Sequence, residues 1–211
     1  NNTGAQLIVT VSKSNVKSKT KVLDRVRSLI VDKSINPSSG IGTTTLNDGL
    51  SYGNFAFGTR VQDKLISLNT PDIIEIHGIY ETAVASTSDA DFGSPEISLT
   101  QMNGPTTTTG DMVVGELMVG QTSGATAVFV EVKNTSTLRY IPKNNFKFVE
   151  GEEVLFQESQ IRGLISVLNS SAFDISSNYT FGTGQKGTFY NYGFLTRKSD
   201  SEAPDKKIKI Y

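Results

Sequence analysis

One run of apolar residues and turn formers is written twice in this chain, and such a repeat restricts the fold more than any single motif does. Laid without gaps, Met112–Val132 (MVVGELMVGQTSGATAVFVEV) falls on Phe148–Leu168 (FVEGEEVLFQESQIRGLISVL). Gly115-Glu116 meets Gly151-Glu152, Gln121 meets Gln157, and Ser123 meets Ser159, while most other pairs exchange one apolar residue for another. Self-similarity at a fixed spacing points to one supersecondary unit used twice. In the first copy Val113-Val114 ends at Gly115, which takes positive φ cheaply, and Glu116 opens a short run closed by Gln121-Thr-Ser-Gly124. A β-branched strand follows over Ala125 to Val132. Thr137 to Pro142 alternates, Pro142-Lys-Asn-Asn145 breaks it, and Phe146 and Phe148 lead into the second copy with period two. Short apolar runs bounded by Gly, Asn and Pro predict a meander of antiparallel sheet and little helix. Gly115, Glu116, Gly151 and Glu152 are the expected repeat turns, each carboxylate accepting backbone N–H groups of its own turn.

The rest of the composition permits such a fold and excludes several chemistries. A chain of 211 residues buries roughly 70% of its unfolded surface, enough for one or two ordinary cores. With no cysteine, neither disulfides nor thiolate ligands are available. A net charge of −1 sets up no global field toward nucleic acid or an anionic membrane. No apolar run approaches the roughly 20 residues a bilayer span needs, so membrane insertion is not expected. A start at Asn1 and an end in the alternating Lys207-Ile-Lys-Ile-Tyr211 predict a segment of a longer polypeptide.

On either side of the repeat the pattern is again extended. Ala5 to Ser12 is a strand candidate. The basic run from Lys13 to Arg27 lacks the interleaved aromatics that single-strand stacking uses, and reads as a solvated face. Val22, Val26 and Ile30 suit a helix while Leu29-Ile-Val31 suits a strand, which leaves that stretch open. Residues 35–58 read as a long loop carrying Tyr52, Phe55 and Phe57, of the kind that packs on a neighbouring chain. Strand pattern returns over Val61 to Leu68 and Ile73 to Glu81, with Pro71 and Asp72 as the turn between them. Ala83 to Ser94 and Asn169-Ser-Ser171 read as linkers, and Phe173 to Phe181 alternates once more. The predicted fold is therefore mainly β: antiparallel sheets in which a small duplicated module, residues 97–168, is inserted in a β-rich host formed by residues 1–96 and 169–211.

No motif gathers reactive groups. Gly182-Thr-Gly-Gln-Lys-Gly187 has the spelling of a dinucleotide loop, but the aromatic Thr188 to Tyr192 follows where a helix N-terminus is needed to hold pyrophosphate. His77, the one histidine, stands in an apolar strand pattern, so neither a histidine metal cluster nor a nucleophile motif is present. Asp89-Ala-Asp-Phe-Gly93 begins like a calcium loop without the distal glutamate. Asp72, Glu75, Glu81 and Glu152 read as strand-face or turn acids; a pairing of carboxylates for glycoside cleavage is set by proximity in space, which the sequence leaves open. The expectation is a non-enzyme with no catalytic, cofactor-binding or metal residues. Tyr52, Phe55, Tyr179, Tyr190 and Tyr192 are the candidate contacts to another subunit or to a glycan.

A family resemblance rests on particular stretches. Phe173-Asp-Ile-Ser-Ser-Asn-Tyr-Thr-Phe181, Gly184 to Gly193, Arg197-Lys198, Ala203-Pro204 and the final Lys206 to Tyr211 resemble a family of virion structural proteins of tailed phages, especially T4-like phages of marine cyanobacteria. Arg60-Val-Gln-Asp63, Ile66 to Asp72, Ile79-Tyr-Glu81 and the Gly-Glu…Gln-Thr-Ser-Gly-Ala module resemble further parts of it. Where that family usually carries a more acidic loop, this chain has Gly182, Lys186, Gly187 and Asn191. The resemblance implies a tail, baseplate or tail-fibre scaffold assembled in the host cytoplasm and held by homo- and hetero-oligomeric contacts with other virion subunits. It supplies no catalytic residue. The alternative is a tail-fibre module that recognises a host surface glycan.

Overall fold

The computed structural model describes residues 9–10, 12, 14–15, 20, 22–31, 60–82, 93–103, 108–169, 173–185, 191–204 and 206–211. The predicted mainly β, antiparallel architecture is what it shows: every strand pair among these residues runs antiparallel, and helix is confined to 3-10 turns at Thr109–Asp111 and Ser176–Asn178.

Six strands form a closed barrel: β4 (Glu96–Asn103), β5 (Leu117–Gly120), β6 (Thr126–Val132), β7 (Thr137–Pro142), β8 (Glu153–Phe156) and β9 (Arg162–Asn169). Their order around the wall is β4-β7-β6-β5-β8-β9. A simple meander would leave two free edges. Here β5 pairs with β8 and β4 bridges β7 and β9, so the barrel closes with no strand left as a free edge. Alternate side chains fill the interior, including Ile97, Met118, Phe129, Leu138, Val154, Phe156 and Ile165. Phe129 meets Phe156 edge to face at 6.1 Å, and Tyr140 meets Phe148 at 5.2 Å. Phe146 and Phe148 lie outside any strand; Phe148 nonetheless reaches the barrel core while Phe146 stays exposed.

The host sheets draw strands from both ends of the chain. In one, β12 (Ile208–Ile210) runs between β1 (Leu29–Val31) and β3 (Ile79–Glu81). In the other, β11 (Tyr192–Arg197) runs between β10 (Tyr179–Gly182) and β2 (Leu65–Pro71). Val61, Ile66, Ile79, Tyr179, Leu195 and Ile208 meet in their shared core.

The predicted strands are trimmed by turns. Arg60–Asp63 forms a turn in which the Asp63 carboxylate takes both the Arg60 N–H and its guanidinium, so β2 begins only at Leu65. Asp72 has positive φ (61°) and swings the chain out of the sheet, leaving 73–78 outside any strand; the N–H groups of His77 and Gly78 donate to the Tyr211 carbonyl instead. The open question over 22–31 resolves to chain without regular structure at 22–28 followed by strand β1. Phe173–Phe181 is a bridge at Asp174, a 3-10 turn and then β10. Val9, Thr10 and Ser12 are in no strand, and the remainder of that candidate lies outside the described residues, as do 35–58, 83–92, 170–172 and 186–190.

Candidate functional site: a reciprocal carboxylate lock and the joint beside it

The two repeat glutamates are buried in the barrel wall, Glu116 at 1% and Glu152 at 5% exposure. Gly115 (φ 91°) and Gly151 (φ 84°) make the bends that deliver them. One donor on each carboxylate is local, as expected from the sequence: Val113 N–H to Glu116 Oε1 at 2.8 Å, and Val149 N–H to Glu152 Oε1 at 2.6 Å. The other three come from the opposite turn, which corrects the own-turn expectation. Glu116 accepts the N–H groups of Glu158 and Ser159 on Oε2 and the Ser159 hydroxyl on Oε1 (2.8, 2.9 and 2.9 Å). Glu152 accepts the N–H groups of Thr122 and Ser123 on Oε2 and the Ser123 hydroxyl on Oε1 (3.1, 2.9 and 2.8 Å). The cause is the β5–β8 pairing, with Val119 opposite Leu155: the start of each strand lies beside the turn that closes the other.

Backbone bonds around the lock recur at the offset of the sequence alignment. Gly115 N–H donates to Phe129 and Gly151 N–H to Ile165; Gln121 N–H donates to Glu153 and Gln157 N–H to Leu117. Ser123 and Ser159, paired by the repeat, and Gly120 are the members to which the sequence assigned no role. A Cβ on Gly120 would stand 2.6 Å from Ser123 Oγ and 2.7 Å from Glu152 Oε2. The available signal was the serine recurring at the same place in both copies. Burial pushes the Glu152 carboxyl up, but the donors from Ser123, Val149 and Thr122 outweigh it and hold its pKa below the ordinary value. A carboxylate so saturated is a poor proton acceptor and a strong tie.

Beside the lock, the outer face of the barrel packs on the host. Val128, Val130 and Ile141 meet Tyr80 and Tyr211, whose rings sit edge to face at 6.2 Å. This is why residues 127–130 of β6 read as a continuous apolar run: both faces are covered there. A bulge between Phe129 and Glu131 sets Glu131 across from Arg139. Glu131 then accepts Lys209 Nζ on both oxygens (2.9 Å each), Arg139 Nη1 (3.1 Å) and the Tyr211 hydroxyl (2.8 Å). Arg139 Nε also reaches Glu96 at 3.3 Å, and Lys133 holds both Glu96 oxygens at 2.7 Å. Lys209 and Arg139 are each 2% exposed, so the network puts charge at the seam between barrel and host, with each ion paired.

Of the expected aromatic contacts, Tyr179 and Tyr192 are described, and the two differ in burial. Tyr179 is a core residue of the host at 6% exposure, its phenol pushed up to about 12 by burial, while Tyr192 is exposed at 53% on β11. Tyr52, Phe55 and Tyr190 lie outside the described residues. Asp72 accepts an amide hydrogen bond from Gln185, and Glu81 accepts the Lys206 N–H, so both are tied locally. Glu75 and His77 meet Lys143 of the barrel at one end of a groove of about 1180 Å³, which also presents Val22, Leu23 and Ile74. Of the calcium-loop stretch only Gly93 is described. Among the described residues no group of three or more His, Asp or Glu is placed to hold a metal ion, and no helix is long and apolar enough to cross a membrane.

Fold and site define an antiparallel β protein built on a closed six-stranded barrel with carboxylates locked into its wall. No protein-family model, no curated protein and no solved structure matches the chain.

Proposed function

We propose that this chain is a structural segment of a tailed-phage virion, in the tail, baseplate or a fibre, working through contacts with other subunits. The observation that carries the proposal is the reciprocal lock together with the ion-paired joint: the buried charged groups Glu96, Glu116, Glu152, Arg139 and Lys209 are engaged in holding barrel and host in shape. Part of the same proposal is that the barrel is a duplicated β-β-β unit whose copies exchange their first strands, since β4 pairs with β9 and β7 with β6 while the lock bonds recur at one offset. The resemblance noted in the sequence supports the virion setting. Exposed apolar side chains such as Leu23, Ile74, Phe146 and Tyr192 supply contact surface. The glycan-platform alternative has less support, because Tyr179 lies in the core.

Because the chain has no cysteine, single-cysteine variants at Leu23, Ile74, Phe146 and Tyr192 report accessibility cleanly. The expected result is fast maleimide labelling of each in the free chain and protection of a subset once the chain is incorporated into particles. Equal labelling of all four in free chain and purified particles, or failure of the chain to enter particles, overturns the proposal.

A further inference from the structure

The sole histidine stands where three parts of the chain meet. His77 Nδ1 lies 3.0 Å from Glu75 Oε1 on its own segment and 3.1 Å from Lys143 Nζ on the barrel, and its Nε2 lies 3.5 Å from the Arg25 carbonyl on the 22–28 segment. Lys143 Nζ also reaches Glu75 Oε1 at 3.1 Å, and the Lys143 N–H donates to Thr126, which seats the lysine on the barrel wall. An ammonium can only donate. The Nδ1 lone pair therefore accepts from Lys143, the ring proton sits on Nε2 facing the Arg25 carbonyl, and Lys143 bridges His77 and Glu75. The other ionisable groups along this groove have partners of their own: the Arg25 guanidinium pairs with Glu158 and Arg27 with Asp24, Asp72 accepts from Gln185, and the Tyr211 hydroxyl donates to Glu131 while the Tyr211 carbonyl takes the His77 N–H.

We propose that His77 is a proton-operated latch between barrel and host, closed when the imidazole is neutral. A proton on Nδ1 removes the lone pair that Lys143 uses and turns that nitrogen into a donor toward Glu75. Glu75 then gains a partner on its own segment, and the barrel lysine, now facing a like charge, loses one of its two acceptors. The side chain is 13% exposed and Lys143 is 34% exposed, so the lysine has water to swing into while the imidazole does not. Burial, and then the Lys143 charge, hold the His77 pKa below its ordinary 6.5 against the opposing pull of Glu75, consistent with a latch that is closed at neutral pH.

With one histidine in the chain, its imidazole proton resonances are assigned without ambiguity, so an NMR titration of the intact protein tests the wiring. The midpoint is expected below 6.5, to rise in Lys143→Met, which removes both the donor and the like charge, and to fall in Glu75→Gln. Hydrogen exchange reads the consequence: corrected for intrinsic rates, protection of the His77 and Tyr211 amides, which tie this segment to β12, should drop several-fold below the midpoint. In His77→Gln, whose amide oxygen can still accept from Lys143, that drop should vanish. A wild-type midpoint at or above 6.5, a midpoint indifferent to Lys143→Met, or amide protection that ignores the titration overturns the latch.

Discussion

Gly115 and Gly151 stand at matching places with nearly the same positive φ, yet a side chain would meet different surroundings at each. At Gly115 a Cβ would come 2.4 Å from Arg25 Cβ, whereas at Gly151 it would meet nothing within 4 Å. Gly151→Ala should therefore cost only the backbone strain, about 1 kcal/mol, and Gly115→Ala clearly more, because the 22–28 segment must lift. Thermal unfolding of the two variants checks the order. The crossed lock makes a sharper prediction. Glu152→Gln should cost about 2 to 3 kcal/mol, because the amide turns an N–H toward donors that need an acceptor. In double-mutant cycles Glu152→Gln should couple to Ser123→Ala by about 1 kcal/mol and be additive with Ser159→Ala, while Glu116→Gln does the reverse. The glutamates and their glycines were readable in the sequence from the repeat. Which turn each carboxylate serves was not, since the donors lie 29 and 30 positions away for Glu152 and 42 and 43 for Glu116.

Among the elements, the short β12 carries more than its length suggests. It is the central strand of its sheet, Ile208 and Ile210 are buried in the host core, and Lys209 between them faces the Glu131 network. Ile208→Ala should cost about 2 to 4 kcal/mol by leaving a cavity, whereas Leu65→Ala, at an exposed position of an edge strand, should cost less than about 1 kcal/mol. Chemical denaturation of both variants tests the contrast. The barrel strands β5, β6 and β7 stand where alternation and turn residues placed them. Residues 73–76 also carry strand pattern and are not a strand, because Asp72 turns the backbone away from the edge it would have extended. Periodicity reports which faces are apolar; it does not report whether a neighbouring strand lies within hydrogen-bonding reach.

For the molecule as a whole, the seam between barrel and host joins two apolar cores through buried, paired charge. Glu131→Gln should destabilise by about 3 kcal/mol, since it removes a carboxylate charge shared by the buried Lys209 and Arg139, of which Arg139 keeps Glu96. Acid should act in the same direction. Burial pushes the Glu131 carboxyl up, but Lys209, Tyr211 and Arg139 hold it below the ordinary 4.5, and Glu152 is also held low. A carboxyl whose pKa is lower folded than unfolded contributes fully above the unfolded value. Its share is lost as pH falls below about 4.5 and through the folded value, so unfolding midpoints should drop steeply in that window and less steeply in Glu131→Gln.

Sequence alone determined the local grammar of this protein: extended segments of period two, glycines at the bends, two equivalent Gly-Glu turns and no thiol chemistry. These follow from each residue's own conformational preferences and from which side of a strand it occupies, and both are set by near neighbours in the chain. Only the tertiary structure decided that the sheet closes on itself, that each glutamate caps the other turn, and that Glu131 finds Lys209 from 78 positions away. Burying a charge is favourable only where a second surface brings the matching group, and which surfaces meet is a property of the assembled fold.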